Sequence, residues 1–127
     1  MGLLQLDGFS NLVVSEEANE TLEKFLASDL VTLDKIISKL LPFDEHGVHT
    51  PYFKVDYLEG KKYENIIEIK GKTTSRREWR ILAVKISEGK RPATYALLHI
   101  FFKTTKKIRQ QDKEKAYQIA ISEGIRV

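Results

Sequence analysis

Apolar residues near the start of the chain come in two short segments, Leu3 to Leu6 and Asn11 to Val14, separated by Asp7-Gly8. That dipeptide favours a tight hairpin turn, so the first strand is expected within residues 3 to 14. Ser15 followed by Glu16 and Glu17 then supplies a helix start, the hydroxyl capping free amides and the carboxylates facing the positive helix end. Ala18, Leu22, Phe25 and Leu26 fall on one face of that helix. Ser28-Asp29 offers a break and a second cap, after which Leu30, Leu33, Ile37, Leu40 and Leu41 make another apolar face expected to end at Pro42. An antiparallel helical pair follows from the short connection. Between Pro42 and Lys62 the period fades around Gly47, Pro51 and Gly60, which predicts an irregular connection with one short strand near Tyr52 to Leu58.

Strand character resumes at Asn65 to Lys70, with Gly71 and the polar run Lys72 to Ser75 as its turn. Two longer β-branched and aromatic runs come next, EWRILAVKI from Glu78 and TYALLHIFF from Thr94, joined by a loop containing Gly89 and Pro92. Arg80, Leu82, Val84 and Ile86 share one face of the first run, and Trp79, Ile81, Ala83 and Lys85 the other. Neither face is fully polar, so this hairpin is expected at the centre of a sheet, with the helical pair packed on the face that carries Leu82, Val84 and Leu98. After Lys107 a helical stripe returns through Ile108, Asp112, Ala116, Ile119, Ala120 and Glu123, with Thr104 or Thr105 as cap and Gly124 as stop. The predicted class is α+β: a strand, two helices, a three-stranded antiparallel meander and a last helix.

With 127 residues the chain suits one domain, residues 1–127. It has no cysteine, and no run nears the roughly 20 apolar residues that span a bilayer, so a soluble cytoplasmic protein with no membrane role is expected. Charge divides unevenly. Residues 1 to 64 hold 6 Lys/Arg against 12 Asp/Glu, whereas residues 65 to 127 hold 15 against 6. Such a basic half is the footprint of a polyanion partner, or else of a solvated surface paired with the acidic half.

The candidate chemistry lies at the ends of the central hairpin. A cation at Arg80, interrupting an apolar strand, needs a buried partner or an anionic ligand. Lys103, Lys106 and Lys107 stand at a strand-to-helix junction, where a helix N-terminus would add its own attraction for an anion. His46 and His49 are three apart, but Gly47 lies between them and no third ligand completes a set, so no metal or other cofactor is expected.

Taken in order, Leu58-Glu59-Gly60, Ile67-Glu68-Ile69-Lys70, Trp79-Arg80-Ile81-Leu82 and the run Leu98 to Lys107 (LHIFFKTTKK) resemble the motifs of the RelE/HigB superfamily of bacterial toxins, especially its phage-derived HigB-like branch. The likeness covers roughly residues 10 to 122, with Lys70 standing where Arg is usual. It implies a RelE-like fold and a ribosome-dependent messenger-RNA endoribonuclease, neutralised by a cognate antitoxin with a helix-turn-helix domain. It also leaves open a non-catalytic RNA- or protein-binding module and a ParE-like gyrase inhibitor. Cleavage by the ribose 2′-hydroxyl needs no metal. On this reading Arg80, Lys103 and Lys106 bind the scissile phosphate and Glu68 and His99 are the titratable candidates for acid–base work. Lys70, Arg76, Arg77, Trp79 and Lys107 are the RNA-contact candidates. Several have a plainer role as well: Glu68 pairing with Arg80 or Lys103, His99 hydrogen-bonded within the structure, Trp79 in the core, and Arg76 and Arg77 keeping a loop soluble.

Overall fold

The computed structural model describes residues 2–87 and 92–127. The part of the expected hairpin loop from Glu88 to Arg91, including Gly89, lies outside these. Six strands form one mixed sheet in the order β1-β2-β6-β5-β4-β3, with β1 at Leu4–Gln5, β2 at Leu12–Val14, β3 at Asp56–Tyr57, β4 at Ile66–Lys72, β5 at Glu78–Lys85 and β6 at Tyr95–Lys103. Neighbours are antiparallel except β2 and β6, which run parallel with Val14 opposite Leu97. The α+β class is as expected from the periodicity. β5 is central, flanked by the other two strands of the meander.

Helices α1 (Glu16–Ser28) and α2 (Leu30–His46) form where the caps predict. Ser15 Oγ accepts from Ala18 N at 3.0 Å, and Asp29 Oδ1 accepts from Thr32 N at 3.1 Å. α2 does not stop at Pro42, although a proline costs a helix one hydrogen bond. Its last turn is held from outside: Phe43 is fully buried, and Asp44 binds the β1–β2 turn through Asn11 N at 2.7 Å. The helix ends instead at Gly47, whose φ of 61° suits a residue without Cβ. α2 also buries a rotated face, Thr32, Ile36, Leu40 and Phe43, leaving Leu30 and Leu41 exposed.

Both faces of the sheet are covered. On one, α1 and α2 pack through Ala18, Leu22, Ile36 and Leu40 onto Ile67, Ile69, Trp79, Ile81 and Leu97. On the other, α3 (Gln110–Ser122) lays Ala116 and Ala120 against Ile66, Leu82, Val84, Ala96 and Leu98. The expected packing of the helical pair on Leu82, Val84 and Leu98 is thus corrected: those residues face α3, and the Trp79 face receives α1 and α2. The strand alternation was right and the assignment of helices to faces was not. The large indole fills the space under the helical pair together with the isoleucines beside it, while two alanines let α3 lie close to branched residues.

A bulge governs the α3 side. Leu82 pairs with His99 but Ala83 pairs with Leu97, so Leu98 is an extra residue in β6. Leu98 and His99 therefore turn toward the same face in succession, between Leu97 and Ile100, which belong to the other core. Leu98 O, displaced from the ladder, accepts from Ser15 Oγ at 2.8 Å, so the residue that caps α1 also satisfies the bulge.

β4 runs two residues further than the turn predicted at Gly71. Gly71 lies opposite Trp79, and a Cβ built there would come 2.0 Å from the indole, so the strand can pass the ring only as glycine. α3 is anchored by Glu114, which accepts from Tyr63 Oη and Lys62 Nζ, both at 2.7 Å. Hydrogen bonds from Gln118, Lys62 and Tyr63 hold that carboxyl at about 2.

Two outcomes follow. Gly71→Ala should destabilise the domain by roughly 1–3 kcal/mol or more through overpacking, measured by urea unfolding. Because Glu114 titrates lower in the folded chain than in the unfolded one, its contribution is present above the ordinary carboxylate pKa and is lost as pH falls from about 4.5 toward 2. Glu114→Gln should flatten that acid limb when unfolding midpoints are compared at pH 3 and pH 7.

Candidate functional site

The cations gather at one end of the sheet. β4 ends at Lys72, β5 begins at Glu78, and β6 ends at Lys103, and the register sets Lys72, Glu78 and Lys103 in one row across the three strands. The turn between β4 and β5 adds Arg76 and Arg77, and the chain leaving β6 adds Lys106 and Lys107, all four exposed. Arg77 Cζ sits over the Phe102 ring at 3.7 Å from its centroid, and Phe25 of α1 meets Phe102 edge-on at 5.7 Å. Arg76 holds a φ of 66°, a region where glycine is usual, inside a turn closed by Thr73 N to Arg77 O at 2.8 Å.

One carboxylate lies in this row, and it is already engaged. Glu78 Oε1 accepts from Arg80 Nη2 at 2.8 Å. That bond holds its carboxyl below the usual range, burial pushes the other way, and the charges of Arg80, Lys103 and Lys72 add to the lowering. Arg80 itself is 5% exposed. Its Nε donates to Glu68 Oε2 at 2.8 Å and its Nη1 to Trp79 O at 3.0 Å. Each guanidinium nitrogen therefore has a protein acceptor, and the side chain lies beneath the surface. The expectation of Arg80 as a phosphate ligand is corrected by this burial and pairing, and that of Glu68 as an acid–base group by its burial against Arg80. The two are a buried ion pair, the plainer alternative.

His99 follows the same pattern. It is 6% exposed, stacks nearly parallel on Phe101 at 4.7 Å and shares a 2.9 Å hydrogen bond between Nε2 and Asp112 Oδ1. With Nε2 as the donor, Nδ1 turns its lone pair toward the α1 residue Glu17, whose Oε1 is 3.9 Å away, beyond hydrogen-bond reach. The residue ties β6 to the first turn of α3, which corrects its candidacy for proton transfer.

Trp79 is 1% exposed, so its ring is core and does not stack on a base as proposed from sequence. Lys70 points to the other side of the meander edge and pairs with Asp56 of β3. The anticipated helix-end anion site is also corrected. α3 begins at Gln110 without a side-chain cap, its first turn already holds Asp112, and Lys106 and Lys107 precede it. Thr104 and Thr105 instead brace the connection, Thr104 Oγ1 accepting from Arg109 Nη2 at 2.6 Å.

Of the expected site residues, then, Lys103, Lys106, Lys107, Arg76 and Arg77 come together, while Arg80, Glu68, His99 and Trp79 are buried beneath or beside them. Lys72 and Glu78 complete the row without having been singled out; their spacing across the β4–β5 turn was the available signal. The arrangement can bind a chain of phosphates. Among the described residues no group of three His, Cys, Asp or Glu is placed to hold a metal, His46 and His49 included, and no helix is long and apolar enough to cross a membrane.

Arg80→Ala should leave Glu68 buried and unpaired and cost about 3–5 kcal/mol, whereas Arg80→Met with Glu68→Met should recover most of the loss, because a buried pair costs desolvation that an apolar pair does not. Unfolding free energies of the wild type and both variants check this. Comparison with protein-family models, curated proteins and solved structures finds no match for this chain.

Proposed function

We propose that this chain is a RelE/HigB-type toxin on a RelE-like fold, a ribosome-dependent endoribonuclease of messenger RNA countered by an antitoxin with a helix-turn-helix domain. The observation that carries the reading is the row Lys72, Glu78, Lys103, flanked by exposed Arg76, Arg77, Lys106 and Lys107, with its single carboxylate held by Arg80. Lysines and arginines spaced along one sheet end suit the backbone of a single strand, and the arginine over Phe102 presents a flat cationic face to a base. The order of elements, with β2 parallel beside the last strand of the meander, is compatible with the family's plan.

In this reading Lys103 and Lys106 hold the scissile phosphate and stabilise the charge that grows on it. The 2′-oxygen to phosphorus bond forms, the bond to the 5′-oxygen breaks, and a 2′,3′-cyclic phosphate and a 5′-hydroxyl result. Arg80 acts as a positioning residue. By bonding Glu78 it divides that carboxylate's charge between itself and Lys103 and Lys72. The 2′-hydroxyl proton passes to solvent or to the ribosome, and the departing 5′-oxygen takes a proton from the same source, since Glu68 and His99 are committed elsewhere. That same commitment favours a second reading, an RNA-binding module that does not cut.

Lys103→Ala with Lys106→Ala should lower ribosome-stimulated cleavage by on the order of a hundredfold with an unchanged melting curve, and the products should carry 2′,3′-cyclic phosphate ends in the presence of EDTA. Binding that weakens in the double variant with no cleavage in either protein selects the second reading. Arg76→Gly should relieve the left-handed backbone and raise stability by up to about 1 kcal/mol, while weakening RNA binding.

A further inference from the structure

On the helical-pair side of the sheet an open cleft of about 790 Å³ lies between α2 and the end of β4. Its size falls within the range of small-ligand sites. Its lining combines aromatic rings with cations. Tyr52, 73% exposed, and Phe53 come from the connection after α2. Lys35 and Lys39 of α2 and Lys72 of β4 outnumber the lone lining carboxylate, Asp34. Lys39 Nζ sits 4.6 Å over the Phe53 ring and donates one of its three hydrogens to Lys70 O at 2.8 Å. Burial, then the charge of Arg80, holds its ammonium below the ordinary lysine value, so an anion beside it would be favoured.

The second observation is an orphan donor. Trp79 also lines the cleft, against Gly71, and its Nε1 is buried with no hydrogen-bond partner. A buried N–H without an acceptor destabilises the fold, and no polar group of the surrounding protein accepts from it. An acceptor brought by a ligand would.

We propose that this cleft binds one nucleotide unit, its base stacked on Tyr52 with a ring acceptor turned to the Trp79 N–H, and its phosphate beside Lys35 and Lys39. An aliphatic ligand would waste the exposed ring, and a bare anion would leave the indole unsatisfied; a base with a phosphate uses both. The unit is either a free mononucleotide or one residue of an RNA strand. The proposal rests on the preceding reading only for the second of these sources.

Trp79 is the only tryptophan in the chain, so its emission reports on the site directly. The full chain would be titrated with each of the four ribonucleoside monophosphates and with a short single-stranded oligoribonucleotide. Saturable change in Trp79 emission is expected with at least one monophosphate, and Tyr52→Ala should weaken it about tenfold, as loss of one base–aromatic stack does. Tyr52 is exposed, so this variant should fold; matching melting curves check that. Lys106→Ala with Lys107→Ala should weaken only the oligonucleotide. No saturable change with any monophosphate, or equal binding by Tyr52→Ala, overturns the cleft. An oligonucleotide response that ignores Tyr52 but falls in the Lys106, Lys107 variant also overturns it, while leaving the basic end as an RNA surface. Monophosphate binding that depends on Tyr52 without any oligonucleotide binding supports the cleft and counts against the RNA reading.

Discussion

The hydrogen bond from the Ser15 hydroxyl to the Leu98 carbonyl is the contact on which the two halves of this protein depend. A bulge in a central strand is costly where its displaced carbonyl is buried without a donor. Here the donor comes from the residue that opens α1, so helix start and bulge stabilise one another across 83 positions of sequence. Because the bulge exists, Leu98 can join the α3 core while His99 reaches Asp112 in the helix's first turn. Without it, alternation would set one of the two against α1 and α2, and α3 would lose either its apolar seat or its polar anchor.

The second organising constraint is electrostatic. A central strand crowded with branched residues carries one arginine, and the fold surrounds it with Glu68, Glu78 and a backbone carbonyl. Such a pair adds little net stability over an apolar substitute. What it changes is the sheet end. A free Glu78 between Lys72 and Lys103 would answer their charge alone; bonded to Arg80, it divides its charge between that guanidinium and the lysines. A buried charge thereby shapes an exposed one.

Much of this was readable from local signals. Ser15 and Asp29 cap helices because a hydroxyl or carboxylate before an apolar stripe acts on amides two or three residues away, whatever the rest of the chain does. The meander and its alternation were readable for the same reason. What escaped depended on distant partners. Pro42 stays helical because Asp44 and Phe43 are held by other elements. The face of α2 is rotated because it must meet the Trp79 side of the sheet. The roles of Arg80 and His99 turned on whether a carboxylate would be within reach, and parity around His99 on a bulge that no periodicity announces. The exposed lysines and arginines were legible as a cluster, since they flank the ends of the predicted strands; their separation from the buried charges was not.

The short outer strand β3 has one more consequence. It covers the outer edge of β4 only at Ile67 and Glu68, so from Ile69 to Lys72 that strand is paired on its β5 side alone. An uncovered edge next to a strongly apolar sheet is a template on which another chain can polymerise. Lys39 fills one vacant acceptor, Lys70 O, with its ammonium, and the side chains of Lys70 and Lys72 stand along the rest. Lysines here also act as guards against edge-to-edge growth, and exchanging them for neutral residues to blunt RNA binding would open the sheet to its own copies.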